Sequence, residues 1–159
     1  MLPDHKLFDR LADHEVAFVI VGGIALVLRG SARITYDLDI CYDRRRNNLR
    51  RLSEALRPFN PTLRGAPAGL PFRLDTETLA AGLNFTLDTT TGPLDLLGEV
   101  SGLGPYDVVV RLSSELTIYE RPVKVLTLEG LERAKRAAGR RKDLMDLADI
   151  VELRRQTGE

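Results

Sequence analysis

Hydrophobic and polar positions follow two periods along this chain, and each change of period marks an element. Asp4 stands where its side chain can cap a short helix whose apolar face is Leu7, Phe8 and Leu11. Ala17 to Val21 is an unbroken apolar run rich in β-branched residues, the pattern of a buried strand. Gly22-Gly23 turns it into a segment, Ile24 to Leu28, that is apolar all round and ends at Arg29 with Gly30 as a left-handed cap. From Arg33 to Tyr42 the period is two. Arg33, Thr35, Asp37, Asp39 and Cys41 share one face, and Ile34, Tyr36, Leu38, Ile40 and Tyr42 the other. This predicts a strand with a polar working face. Leu49, Leu52 and Leu56 then define an amphipathic helix that Pro58 stops.

Residues 58–71 hold four prolines together with Gly65 and Gly69, so the stretch to about residue 73 reads as an irregular loop suited to a lid or a partner contact. Strands are expected at Leu83–Asp88 and Leu94–Leu97 around a Thr-Thr-Thr-Gly turn. Shorter ones are expected at Tyr106–Val110, Glu115–Tyr119 and Pro122–Val125. Two helices close the chain over about 127–156. Thr127 caps the first, which ends at Gly139, and the second runs from Lys142 to Arg154 with Leu144, Leu147 and Val151 turned inward. The whole reads as one α+β domain over 1–159, a mixed sheet with helices packed against it.

Composition narrows the function. Hydrophobic residues make up 43% and charged residues 29% of 159, enough to bury a core. Lys plus Arg and Asp plus Glu are 23 each, so attraction to nucleic acid or to a membrane has to come from local patches. The longest strongly apolar stretch, Ala17 to Leu28, falls well short of the roughly 20 residues a bilayer span needs. The opening Met-Leu-Pro-Asp lacks the basic start of a signal peptide, and Cys41 has no partner for an internal disulfide, so a cytoplasmic, reducing setting is expected. His5 and His14 with one cysteine do not make a zinc site.

Candidate chemistry gathers on the acidic strand. Asp37 and Asp39, two residues apart on one face, can lean toward one point, and two carboxylates so close repel unless a cation intervenes. Asp-Leu-Asp alone is equally the exposed side of an ordinary strand. Asp95 sits between apolar residues in Pro93-Leu94-Asp95-Leu96-Leu97, and if its strand pairs beside the first, three acids converge and can support two Mg²⁺ or Mn²⁺ ions. Upstream, Gly22-Gly23 follows a buried strand and opens a helix, offering bare backbone amides to a phosphate.

This combination resembles the polymerase-β-like nucleotidyltransferases: strand, Gly22-Gly23, helix, Arg33-x-Thr35-x-Asp37-Leu38-Asp39, then Asp95 on a later strand. The stretches 65–72, 94–100 and 135–143 are similar to those of small bacterial nucleotidyltransferases related to abortive-infection toxins, so that the resemblance spans nearly the whole chain. It implies a mixed-sheet α/β core, Asp37 and Asp39 as shared metal ligands, and Asp95 as the acid nearest an attacking hydroxyl. The expected reaction moves a nucleoside monophosphate from an NTP to an acceptor hydroxyl on RNA, protein or a small molecule. The alternative is a regulatory or binding module of the same fold, such as a toxin–antitoxin component, completed by a protein partner or a homodimer. The chain has Gly23 where many members carry serine, which removes a hydroxyl from the expected phosphate site.

Among basic residues, Lys135 and Lys142 are expected to reach a triphosphate, with Arg33 as a phosphate or carboxylate clamp, Thr35 beside it on the metal face, and Asp143 orienting Lys135 or Arg33. The cluster Arg44, Arg45, Arg46, Arg50 and Arg51 reads first as a solvated face and second as a nucleic-acid contact.

Overall fold

The computed structural model describes residues 2–158. Helix α1 (His5–Asp13) starts where the Asp4 carboxylate accepts from the Lys6 amide, and it buries Leu7, Phe8 and Leu11. Strand β1 (Phe18–Val21) runs directly into α2 (Gly22–Leu28). Strand β2 (Leu38–Tyr42) precedes α3 (Arg46–Leu56), which buries Leu49, Leu52 and Leu56 before a short 3₁₀ turn at Arg57–Phe59. Strand β3 (Thr62–Leu63) lies inside the proline-rich segment and α4 (Thr76–Ala81) follows it. The hairpin β4 (Asn84–Thr89) and β5 (Gly92–Leu97) leads to a small second sheet of β6 (Glu99–Val100) and β7 (Gly104–Pro105). Then come α5 (Tyr106–Val109), β8 (Ser113–Ile118), β9 (Arg121–Leu126), α6 (Leu128–Ala138) and α7 (Asp143–Thr157).

The main sheet has the order β3-β4-β5-β2-β1-β9-β8. β2 is antiparallel to β1 and parallel to β5, and β1 is parallel to β9, so the sheet is mixed. Register assigns the two faces. Ile20, Ile40, Leu96 and Phe85 form one cross-strand row and Leu38, Leu94 and Leu87 the next, all buried. Directly opposed residues share a face, so the other face carries the row Val21, Asp39, Asp95 and Thr86. A slip of one residue would exchange the faces, exposing leucines worth about 2 kcal/mol each in burial and driving two carboxylates into the core. The aliphatic positions therefore fix where the acids stand.

Four expectations change. The strand does not begin at Arg33: residues 32–37 are irregular and Ile34 and Tyr36 are exposed, because β1 leaves the sheet at Val21 and offers no partner beyond Asp39. Tyr106–Val110 is not a strand; despite its β-branched run it forms α5 behind Pro105, with Asp107 in the first turn and Val109 buried. The proline-rich loop contributes the edge strand β3, paired with β4. On α7, Leu144 and Val151 point outward, and Ile150 and Leu153 pack on the core. The aspartates of α7 face inward because their cationic and hydroxyl partners lie on that side.

Thr127 caps α6 by accepting from the Gly130 amide, and Gly139 ends it in the left-handed conformation. Among the described residues, no helix is long and apolar enough to cross a membrane.

Candidate active site

The candidate site residues all line one open cavity of about 630 Å³: Gly22, Gly23, Arg33, Thr35, Asp37, Asp39, Asp95, Lys135, Lys142 and Asp143, joined by Arg140 and Asp146. The floor is the polar row of the sheet. Asp39 on β2 and Asp95 on β5 are direct neighbours in parallel register, so their side chains rise together about one strand spacing apart, roughly 5 Å. Asp37 lies on the irregular lead-in to β2 and joins them from the rim. The pair that meets most closely is thus Asp39–Asp95, formed across strands, rather than Asp37–Asp39 along one.

Asp39 is the electrostatic centre. Its Oδ1 is buried with no hydrogen-bond partner, the one such side-chain atom among the described residues. Burial, then the charge and hydrogen bond of Asp95, then the charge of Asp37 push its carboxyl from 3.8 up to about 7, with Lys135 pulling the other way. Gly22 explains how the backbone comes so close. Its φ is +68°, and a Cβ there would stand 2.2 Å from Asp39 Oδ2, so no other residue fits without moving the carboxylate. At Gly23 a Cβ would press on Thr35, 3.1 Å from its Oγ1. A hydroxyl therefore does stand beside Gly23, supplied by Thr35 across the cavity wall.

The second wall is α6 and α7. Asp143, at the start of α7 and buried, takes Lys135 Nζ at 3.1 Å and Arg140 Nε at 2.8 Å. The Arg140 hydrogen bond, then Lys135, hold its carboxyl down to about 2 against the opposing cost of burial. Asp146 takes Lys135 at 3.0 Å and Arg33 at 2.6 Å. Burial works against its ionisation, but those two cations hold it below the usual carboxylate range. Asp149 accepts from Ser31 Oγ at 2.6 Å. Asp143 thus contacts Lys135 and not Arg33, whose guanidinium pairs with Asp146.

Sequence reasoning missed Arg64. Its guanidinium donates to Asp95 Oδ1 at 3.0 Å and to the Leu87 carbonyl at 2.6 Å, and its Nε reaches Asp88 at 3.2 Å. Nothing in the spacing signals this, because the contact spans 31 positions and depends on β3 pairing with β4. The first basic cluster is largely consumed within the chain. Arg44 lies against the Tyr42 ring and donates to its hydroxyl, Arg45 pairs with Asp43 and Asp107, Arg46 with Glu77 and Arg50 with Glu54.

Among the described residues, no three His, Cys, Asp or Glu side chains form a ready-made metal-binding group. The donor set still suits a hard cation: a desolvated oxygen without a partner, a second carboxylate beside it and a third at the rim. Mg²⁺ takes few protein oxygens and fills the rest of its shell from water or phosphate.

The fold has counterparts among solved structures. The chain has the nucleotidyltransferase fold. It is similar to a candidate nucleotidyltransferase from Thermotoga maritima, with 17% identity over 93% of this chain and 89% of that one, at a TM-score of 0.58. It is also similar to ANT(2″)-Ia in complex with adenylyl-2″-tobramycin, with 14% identity over 92% and 84% at 0.59. A third is the lincosamide antibiotic adenylyltransferase LnuA bound to lincomycin, with 16% identity over 94% and 97% at 0.57. No protein-family model and no curated protein sequence matches the chain.

Proposed function

We propose that this protein is a cytoplasmic enzyme transferring a nucleoside monophosphate from a nucleoside triphosphate to an acceptor hydroxyl, with Mg²⁺ or Mn²⁺. The observation that carries the reading is the buried, unpartnered Asp39 Oδ1 beside Asp95, at the floor of a cavity whose upper wall is cationic. Asp39 and Asp95 would hold one or two cations, with Asp37 contributing from the rim. When bound, they neutralise the charge that develops on the phosphate.

The chain's own residues divide the remaining work. Lys142 and Arg140 at the α6–α7 turn attract the triphosphate, and Lys135 is held ready for it by Asp143 and Asp146. Gly22 and Gly23 let a phosphate approach the backbone without a side chain in the way, next to the Thr35 hydroxyl. Asp95, steadied by Arg64, accepts the acceptor's proton as that oxygen bonds to the α-phosphorus. The bond to the bridging oxygen breaks and pyrophosphate leaves.

Incubation with α-labelled NTPs and Mg²⁺ or Mn²⁺ against pools of RNA, protein and small hydroxyl compounds tests this. Label transfer should fall by about a thousandfold in Asp39→Asn, roughly 4 kcal/mol of barrier. Equal labelling by both proteins would remove these acids from the reaction.

A second reading has support of its own. Ile34 and Met145, which line the cavity, are 74% and 83% exposed, so the rim is apolar and open. A regulatory module of toxin–antitoxin type, capped there by a partner or a second copy, would bind nucleotide but transfer no label.

A further inference from the structure

A second cavity of about 370 Å³ opens under α6, on the same face of the sheet as the acids. Its walls are mainly Leu97, Val100, Leu126, Leu131, Ala134 and Ala138. Helical spacing explains it. Leu131, Ala134, Lys135 and Ala138 form one stripe of α6 directed at the sheet. The first turn of the helix is held close, since a Cβ at Gly130 would stand 2.6 Å from Leu126 Cδ1. Further along, two alanines stand where larger residues would close the gap, so the helix and sheet part without meeting.

The two cavities touch. Gly22, Asp39, Lys135 and Arg140 line both. A ligand seated across that border has a polyanionic end near Lys135, Arg140 and Lys142 and a flat, poorly hydrated end among leucines and alanines. A nucleoside triphosphate is built this way.

We infer that the cavity under α6 is the nucleobase subsite, and that it holds the base by contact and desolvation rather than by reading its hydrogen-bonding edge. Ser101 is the one neutral polar side chain in its lining. An apolar slot separates ligands that differ only in ring substituents by about a hundredfold at most, whereas a site that pairs with the base edge reaches roughly ten-thousandfold, so ATP and GTP bind within about a hundredfold of each other. This inference rests on the nucleotide reading above and adds the location of the base and its weak selectivity.

Titration calorimetry of the full chain with ATP, GTP and inorganic tripolyphosphate, each with Mg²⁺, tests it. The wild type should bind ATP at least tenfold more tightly than tripolyphosphate. Ala138→Leu, which fills the slot from the last turn of α6, should lower ATP affinity to the tripolyphosphate level and leave tripolyphosphate binding within twofold. Ala134→Leu should do the same, with thermal unfolding of both variants confirming the fold. Equal binding of ATP and tripolyphosphate by the wild type overturns this inference alone, as does a preference between ATP and GTP of about a thousandfold or more. Parallel loss of both ligands in the two folded variants overturns it too. A wild type that binds none of the three overturns it together with the reading it rests on.

Discussion

Replacing Asp39 with asparagine should stabilise the cation-free protein. Asp39 ionises near pH 7 in the folded protein against 3.8 in a free chain, chiefly because it is buried and secondly because Asp95 stands beside it. A folded value above the unfolded one means that ionisation opposes folding. The penalty is absent below about pH 4, grows as pH rises toward 7 and is constant beyond. The difference corresponds to about 4 kcal/mol at most. The cavity is open to water, and screening brings the expected effect to about 2 kcal/mol. The amide that replaces the carboxylate would carry no charge and could donate to Asp95. Urea unfolding in EDTA should therefore show Asp39→Asn and wild type nearly equal at pH 4, and the variant about 2 kcal/mol more stable at pH 8. Added Mn²⁺ should narrow the gap by stabilising the wild type. Equal stability at pH 8 without cation, or a less stable variant, would refute the idea that the Asp39–Asp95 pair stores this cost.

The opposite sign applies to Asp143. Its folded value of about 2 lies below 3.8, so its contribution is complete above about pH 4 and lost as pH falls to 2. Its partner Arg140 is 55% exposed, which limits that contribution to about 1 kcal/mol. Asp143→Asn should flatten acid unfolding over this window. Gly22→Ala should destabilise by about 1–2 kcal/mol from its left-handed backbone, and it should weaken Mn²⁺ binding measured by electron spin resonance more than tenfold by displacing Asp39. Thr127→Ala removes the α6 cap and should cost about 1 kcal/mol in urea unfolding with an unchanged m value.

The features legible along the chain are the local ones. The cap at Asp4, the apolar strand before Gly22, the Leu49-Leu52-Leu56 face and the Thr127–Gly139 limits of α6 all lie within single elements. There, period and end chemistry act over a few residues. The alternation of leucine and aspartate around Asp39 and Asp95 also dictates which side each faces once its strand enters a sheet. Packing in three dimensions set β5 beside β2, in a register that puts Asp39 against Asp95. It also brought Arg64 to Asp95 from a loop that reads as irregular. It turned the aspartates of α7 inward and Leu144 out, against the usual rule, because Lys135, Arg140, Arg33 and Ser31 stand on that side. It made a helix of Tyr106–Val109, where β propensity pointed to a strand. Each of these outcomes depends on partners far away along the chain, and a buried charge goes where its counter-charge is, whatever the local period prefers.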